Sequence, residues 1–246
     1  MPPTKFIILS TLAFFLCGGL AFAGGLGLGF GLSDALKPTP TATPEPTPEP
    51  TPVAAYEPVE RPAPREELAL EEDFSGSSWE VFADSDHRKG YEEEQYFIAV
   101  ESADYSFWSV AGRSFADLVL EVETYQVDGP DNNDYGVILR YQDDDNFYSF
   151  EISGDGYYTF GKAVDGQYYS IIPWRESTAI NLGQAANMLR VEAVGRDFTF
   201  YINDELVDAA IDAQFSQGDI GLLAGTYEEA GTHVSFDNLK VWEVSE

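Results

Sequence analysis

The chain has 246 residues and a formal net charge of −30 at pH 7, with 43 acidic and 13 basic residues. Six of the acidic and four of the basic residues precede residue 67, so the remainder carries 37 acidic and nine basic residues, a formal charge of −28. Such a charge repels phosphate backbones and anionic lipid headgroups, and nucleic-acid binding needs basic patches that this sequence lacks. The single cysteine, Cys17, excludes a disulfide within the chain. Neutral and cationic ligands remain compatible with this composition.

An apolar segment lies close to the N-terminus. Residues 6–30 contain no charged residue and are long enough to span a bilayer of about 30 Å. Lys5 precedes the segment and places the N-terminus in the cytoplasm. The tripeptide AFA at residues 21–23 also fits a signal-peptide cleavage site. Residues 1–32 are therefore predicted to be either a transmembrane anchor or a cleaved signal segment, and both export the rest of the chain.

A proline-rich stretch follows. Between residues 38 and 53 proline occupies nearly every second position, which excludes a helix or the interior of a sheet. Such a chain adopts extended polyproline II with a rise of about 3.1 Å per residue, so the stretch from Pro38 to Pro64 would reach roughly 80 Å. Residues 33–66 are predicted to form a Pro/Thr/Glu-rich linker. With an uncleaved anchor, the linker would hold the remaining domain outside the cytoplasm at the cell surface. If the signal is cleaved, the protein would instead be secreted.

From residue 67 onwards apolar residues alternate with polar ones, as in DLVLEVETYQV at 117–127. This period of two is typical of half-buried strands, and the segments are separated by turns rich in Asp, Asn and Gly. Many short strands at this spacing indicate an antiparallel sandwich or barrel. The predicted strands are 118–127, 134–142, 147–153, 157–164, 168–174, 188–194, 198–202, 219–225 and 232–244.

Three stretches of this part resemble a known group of domains: YGVILRYQDDDNFYSFEISGDGYYTFGK, NMLRVEAVGRDFTFYINDELV and GDIGLLAGTYEEAGTHVSFDNLKVWE. They are similar to the concanavalin A-like lectin/glucanase jelly rolls, and more narrowly to bacterial extracellular domains described as 3-keto-disaccharide hydrolase-like. The resemblance covers roughly residues 72–244 and is a whole-domain pattern without a catalytic signature. It implies an all-β domain over residues 67–246, with two antiparallel sheets in a jelly-roll sandwich, and a link to carbohydrate.

Three short Asp- and Gly-rich loops between residues 142 and 167 predict a meander of four strands. The loop lengths pair Arg140 with Ser149 and Tyr157 with Trp174. Because side chains alternate along a strand, adjacent tyrosines fall on opposite faces. The predicted outer face carries Arg140, Ser149, Glu151, Tyr157, Thr159, Tyr168, Ser170 and Trp174.

Flat aromatic side chains beside a charged pair suit a sugar ring, whose C–H face stacks on an aromatic ring while its hydroxyls need donors and acceptors. We therefore predict that Trp174, Tyr157 and Tyr168 contact a glycan, with Arg140 and Glu151 at its edge. The alternative is that Trp174 and Tyr157 form a cross-strand pair that only stabilises the sheet.

Catalytic signatures are absent from the sequence. Glycoside hydrolysis needs two carboxylates roughly 5–9.5 Å apart, and family 16 glucanases carry theirs as Glu-x-Asp-x-(x)-Glu, a motif missing here. The two histidines, His87 and His233, have no partner pattern nearby. The sequence therefore favours a non-catalytic, lectin-like domain tethered to the cell envelope. The alternatives are a hydrolase of the 3-keto-disaccharide type and a structural or adhesive domain without a small ligand.

Two groups of acidic residues could hold a structural calcium ion, which takes six to eight oxygen ligands. The turn DGPDNNDYG at 128–136 offers Asp131 and Asp134. Jelly-roll lectins of the resembled group often carry calcium near the chain ends, where Asp73 and Asp237 could meet. The alternative is that these residues form solvated acidic turns.

The abrupt end of the proline periodicity predicts that residues 67–246 fold independently. Limited proteolysis of the full-length protein should leave a resistant core that begins between about residues 60 and 75. Mass spectrometry of the fragments measures this boundary. A protected fragment that retains the whole proline-rich stretch would contradict the predicted linker.

Overall fold

The structure is a computed structural model, and it describes residues 65–245. The predicted anchor or signal segment and nearly all of the predicted linker lie outside the described residues. Residues 65–245 form two antiparallel sheets, which confirms the predicted all-β, two-sheet class. Within this described part, no helix is long and apolar enough to cross a membrane.

Fifteen strands make up the described part of the chain. In chain order they are β1 (Arg65–Glu72), β2 (Phe82–Ala83), β3 (His87–Glu92), β4 (Gln95–Val100), β5 (Tyr105–Phe115), β6 (Leu118–Asp128), β7 (Asn133–Asp143), β8 (Asn146–Ile152), β9 (Tyr157–Val164), β10 (Gln167–Glu176), β11 (Ala186–Val194), β12 (Asp197–Ile202), β13 (Glu205–Ile211), β14 (Gly218–Thr226) and β15 (Thr232–Ser245). The larger sheet has nine strands, in the order β13-β12-β11-β6-β15-β4-β3-β2, with β1 also paired to β15. The smaller sheet has six, in the order β10-β9-β8-β7-β14-β5.

The apolar alternation predicts nine of these strands, namely β6 to β12, β14 and β15. It does not predict β1 to β5 or β13. Within the described part of the chain, two of these, β1 and β13, each pair with one other strand, and both are largely exposed. A strand that buries little of either face needs no regular apolar alternation, so its sequence carries a weak signal.

The core lies between the two sheets and is rich in phenylalanine. Phe150 of β8 stacks on Phe200 of β12 with ring centroids 4.6 Å apart, and Phe160 of β9 also lies 4.6 Å from Phe200. All three side chains are fully buried. Aromatic pairs of this kind add to the area that they bury, so they join the sheets strongly.

Three hydrogen bonds tie Asp208 of β13 and Asp212, the residue after this strand, to the smaller sheet. Asp208 accepts a hydrogen bond from Arg175 of β10 at 2.5 Å. Asp212, one residue beyond β13, accepts hydrogen bonds from Lys162 of β9 and from the hydroxyl of Tyr148 of β8, each at 2.6 Å. Lys162 and the tyrosine hydroxyl lower the pKa of Asp212, although burial opposes the shift. These contacts close one side of the sandwich.

The registers of the meander agree with the prediction in part. Tyr168 pairs with Ala163, as the two-residue loop requires. Ser149 pairs with Ile138 instead of the predicted Arg140, because the register between β7 and β8 shifts between Leu139 and Asp143. Irregularities in β10 likewise displace the predicted partner of Tyr157, so Tyr157 pairs with Glu176 and not with Trp174.

Leu222 of β14 and Leu206 of β13 test the location of the core. Leu222→Ala should lower the free energy of unfolding by about 2–5 kcal/mol, because Leu222 is fully buried and its loss leaves a cavity. Leu206→Ala, at a side chain that is 63% exposed, should change it by less than about 0.5 kcal/mol. Urea denaturation of the full-length variants measures both values, and equal losses would contradict the assigned core.

Candidate functional site

A cavity of about 40 Å³ lies on the outer face of the six-stranded sheet. All six strands of that sheet contribute to it. The lining side chains are Ser106, Trp108, Asp134, Ile138, Phe147, Ser149, Glu151, Ala163, Tyr168 and Leu223. Most of the cavity surface is an apolar and aromatic wall, and a small polar wall is formed by the side chains of Asp134, Ser149, Glu151 and Tyr168.

Glycines on the same face leave room for this arrangement. Gly225 of β14 is paired with Asp134 of β7, and a β-carbon at Gly225 would collide with the Asp134 carboxyl group. A β-carbon at Gly161 of β9 would likewise collide with the hydroxyl of Tyr168. Because these two positions carry no side chain, Asp134 and Tyr168 can lie flat across the neighbouring strands.

Asp134 and Glu151 form a buried acidic pair beside the cavity, with 2% and 6% of their surface exposed. Their carboxyl groups lie close enough to interact directly. Burial raises the pKa of Asp134 well above its ordinary value, and the Glu151 carboxyl raises it further. Burial also raises the pKa of Glu151, although nearby hydroxyl groups oppose the shift. Two carboxyl groups in such contact hold one proton between them, so the pair can both donate and accept a hydrogen bond.

Two tyrosines surround the pair. Burial raises the pKa of the Tyr168 hydroxyl well above its ordinary value, and the charge of Glu151 adds to the shift. Burial also raises the pKa of Tyr227, which immediately follows β14, and Asp134 and Glu151 raise it further. The Trp174 and Tyr227 rings meet edge to face with centroids 6.4 Å apart. Both tyrosines therefore stay protonated near the acidic pair.

Two buried polar atoms in the cavity wall lack hydrogen-bond partners in the described structure, Oδ1 of Asp134 and the hydroxyl oxygen of Ser149. Ser149 is 1% exposed and lies near the Glu151 carboxyl and the Tyr168 hydroxyl, but it makes no hydrogen bond of good geometry to either. Leaving a buried polar group unpaired costs about 1–3 kcal/mol. Asp134 Oδ1 and Ser149 Oγ therefore each have an unused hydrogen-bonding position next to the cavity.

The apolar wall continues into an aromatic flank. The Phe147 ring lies 5.5 Å from that of Trp108 and 6.1 Å from that of Tyr141. Asp144 orients the flank, because it accepts hydrogen bonds from the Trp108 indole at 3.2 Å and from the Tyr141 hydroxyl at 2.6 Å. Flat rings thus border the cavity on the side away from Trp174 and Tyr227.

The structure brings three of the five predicted glycan-contacting residues to this region. Glu151 and Tyr168 line the cavity, and Trp174 contacts Tyr227 at its edge. Tyr157 is 39% exposed on β9 and does not line the cavity. The predicted cross-strand pair of Tyr157 with Trp174 is wrong, since irregularities in β10 shift the register. A role of these residues in glycan binding stays a prediction.

The predicted outer-face position of Arg140 is wrong. Arg140 has a positive φ of 50° where the register of β7 shifts, and this turns its side chain towards the core. It is fully buried, and its guanidinium lies 5.0 Å from the centroid of the Phe198 ring. It donates hydrogen bonds to the carbonyl oxygens of Phe215 at 2.9 Å and Ala116 at 3.3 Å. Arg140 therefore links the two sheets.

The four aspartates considered as calcium ligands have other surroundings. Asp134 belongs to the buried pair, whereas the Asp131 carboxyl accepts a hydrogen bond from Gln126 at 3.3 Å. Asp73 accepts hydrogen bonds from Ser75, and Asp237 accepts one from the backbone of Asn238. Among residues 65–245, no group of three or more His, Cys, Asp or Glu side chains is arranged to hold a metal ion. Calcium binding stays a prediction from the sequence.

Sequence reasoning missed Asp134 as the partner of Glu151, and it missed Tyr227. Side chains alternate between the two faces of a strand, so Asp134 could have been placed on the same face of β7 as Ile138. The core residues Val137 and Leu139 lie on the opposite face. Tyr227 carries no such signal, because it follows the end of β14 and its position depends on the adjacent loop.

No family model and no curated protein sequence matches the chain. Solved structures match it in fold. A galectin-like protein of unknown function from Bacillus subtilis aligns with a TM-score of 0.57 and 9% identity, over 75% of this chain and all of that one. β-Agarase B from Zobellia galactanivorans aligns with a TM-score of 0.56 and 10% identity, over 76% of this chain and 96% of that one.

The catalytic domain of a laminarinase, an endo-1,3-β-glucanase from Thermotoga petrophila RKU-1, aligns with a TM-score of 0.52 and 9% identity, over 75% of this chain and all of that one. At such low identity the likeness concerns the fold. The described domain thus has the concanavalin A-like jelly-roll fold that the sequence resemblance predicts.

The acidic pair predicts an unusual pH dependence of stability. Above the ordinary pKa of an aspartate, the unfolded chain has released the Asp134 proton but the folded protein still holds it. The free energy of unfolding therefore falls as pH rises. The fall is up to about 1.4 kcal/mol per pH unit over the range in which the two states differ by this proton. Asp134→Asn cannot titrate, so its unfolding temperature relative to the unmodified protein should rise between pH 4 and pH 7. Calorimetry at several pH values measures this difference.

The exposed turn residue Asp204 provides the matched control, since Asp204→Asn makes the same substitution at a solvated site. Its difference from the unmodified protein should stay nearly constant over the same pH range. If Asp134→Asn behaved like Asp204→Asn, the acidic pair would not hold the extra proton.

Proposed function

We propose that the domain binds carbohydrate on the outer face of the six-stranded sheet, with a small group of the glycan in the cavity beside Asp134 and Glu151. The observation that carries this proposal is the pair of buried, unpartnered polar atoms, Asp134 Oδ1 and Ser149 Oγ, in a cavity with an aromatic wall. Small-ligand sites combine apolar area with a few placed polar groups in this way. A glycan presents both C–H faces and polar groups, so it suits a surface that combines aromatic rings with a few polar atoms.

The surrounding aromatic residues extend the surface that a glycan could contact. Trp174 and Tyr227 lie at one side of the cavity, and Trp108 and Phe147 lie at the other. Such rings supply contact area at low entropic cost, because they have few rotatable bonds. The structural neighbours named as an agarase and a laminarinase support carbohydrate as the ligand class.

We further propose that the domain acts outside the cytoplasm. This part of the proposal rests on the sequence, in which an apolar segment at residues 1–32 precedes the proline-rich linker at 33–66. An extended linker would hold the sandwich away from the membrane, where a polymeric glycan could reach the outer face of the smaller sheet. A cleaved segment would release the same domain as a secreted protein.

Hydrolysis is the second candidate, and the buried carboxyl pair favours it. A carboxylic acid with a raised pKa next to a carboxylate is the combination that glycoside hydrolases use. However, the carboxyl groups of Asp134 and Glu151 interact directly with each other, whereas glycoside hydrolases hold theirs roughly 5–9.5 Å apart to leave room for a scissile bond. Binding without catalysis is therefore the function that the geometry supports best.

Trp174 tests the proposed surface. The full-length protein in detergent is first screened on a glycan array to find a retained glycan. Trp174→Ala should then abolish retention in affinity electrophoresis on that glycan, because the ring and its contact with Tyr227 are lost. The unfolding temperature should fall only slightly, since Trp174 is 38% exposed and leaves no core cavity.

Trp242→Ala is the matched control, because Trp242 of β15 is a partly exposed tryptophan on the larger sheet. It should retain the glycan. If Trp174→Ala instead lost about 3–5 kcal/mol of stability, Trp174 would be a core residue and the loss of retention would reflect unfolding.

A further inference from the structure

The size of the cavity limits what it can hold. A cavity needs about 10–15 Å³ for one water molecule, so about 40 Å³ admits a group of about three or four non-hydrogen atoms. A whole pyranose ring, with at least ten such atoms counting its substituents, is too large. The cavity therefore receives a substituent of a sugar, while the ring itself stays at the aromatic surface.

We infer that this substituent is an acetamido group, so that the preferred ligand is a neutral glycan containing an N-acetylated sugar. An acetamido group has four non-hydrogen atoms and combines one donor, one acceptor and one methyl group. The inference rests on the proposed function, because it assigns the ligand class of the same outer-face site.

The polar wall matches an amide. The unpartnered Ser149 hydroxyl can donate a hydrogen bond to the acetamido carbonyl oxygen, and the unpartnered Oδ1 of Asp134 can accept one from its N–H. Both atoms belong to side chains that are at least 98% buried. An acetamido group would thus supply the partners that these two atoms lack, and a ligand without polar groups would leave them unpaired.

The apolar wall matches the methyl group. Ile138, Phe147 and Leu223 form a buried apolar cluster on the outer face, together with Ala163, and all four line the cavity. Apolar area removed from water stabilises a complex by about 25 cal/mol per Å². A hydroxyl group in the same place would have to give up its water without gaining a partner from these side chains.

Charge disfavours other substituents. A carboxylate or sulfate on the ligand would face Asp134 and Glu151 and the net charge of −28 carried by residues 67–246. A free ammonium group would be attracted by the acidic pair, but it would be desolvated against Ile138, Phe147 and Leu223. The neutral acetamido group avoids both costs.

The test compares sugars that differ only in this substituent. The affinities are measured by isothermal titration calorimetry of the full-length protein. The ligands are N-acetylglucosamine and N-acetylgalactosamine, their 2-hydroxyl counterparts glucose and galactose, and their 2-amino counterparts. Each sugar is tested in free form and as oligosaccharides of equal length. At least one N-acetylated series should bind about tenfold or more tightly than its hydroxyl and amino counterparts. Equal or weaker binding of both N-acetylated series would overturn the inference.

Ser149→Ala tests the assigned donor. It should reduce the ratio of the affinities for the N-acetylated sugar and its hydroxyl counterpart by about tenfold. Ser235→Ala is the matched control, because Ser235 on the larger sheet is also buried and its hydroxyl is also unpartnered. It should leave the ratio unchanged, and an equal fall in both variants would count against the assignment.

Ala163→Val provides a second route if Ser149→Ala fails to fold. The added methyl groups would enter the cavity, so the same affinity ratio should fall while the unfolding temperature stays close to that of the unmodified protein. The glycan array distinguishes a failure of the proposed function from a failure of the acetamido assignment. If no glycan binds, the proposed function is wrong; if neutral glycans bind but N-acetylation gives no advantage, only the present inference is wrong.

Discussion

The aromatic contact between the inner faces of the two sheets is the interaction on which the rest of the structure depends. Phe150 and Phe160 of the smaller sheet meet Phe200 of the larger one, and each ring is fully buried. Burying one such side chain stabilises the fold by about 1.5–3 kcal/mol. Because the inner faces supply the main stabilisation, the outer face of the six-stranded sheet can carry polar groups that lower stability.

A single backbone irregularity connects the core to the outer face. Where the register of β7 shifts, Arg140 adopts a positive φ and turns inward to the Phe198 ring. The next residue, Tyr141, then packs against Phe147 on the outer side. The same shift therefore gives the sheet interface a buried cation and adds an aromatic ring to the flank beside the cavity. Irregularities of this kind re-aim side chains near functional sites in many sheets.

Among residues 65–245, the side chains that line the cavity offer the acidic pair no cation, so its burial is expected to lower stability. Asp134 and Glu151 lie under Tyr168 and Tyr227, and no basic side chain lies among the residues that line their cavity. A buried carboxyl group that is not paired with a cation holds a proton instead, which is the direction of both pKa shifts. These buried carboxyl groups are the ones to which we assign the proposed ligand site.

The alternating sequence by itself determined the all-β class and the positions of nine strands, because a period of two requires one buried and one exposed face. It also put Glu151 and Tyr168 on one face, since short turns set the local pairing. Only the tertiary structure decided that Asp134 lies next to Glu151, that Tyr227 lies close to both, and that Arg140 is buried. These positions depend on a register shift and on contacts between strands distant in sequence. Local patterns cannot encode such contacts, because a shift of one residue exchanges the two faces.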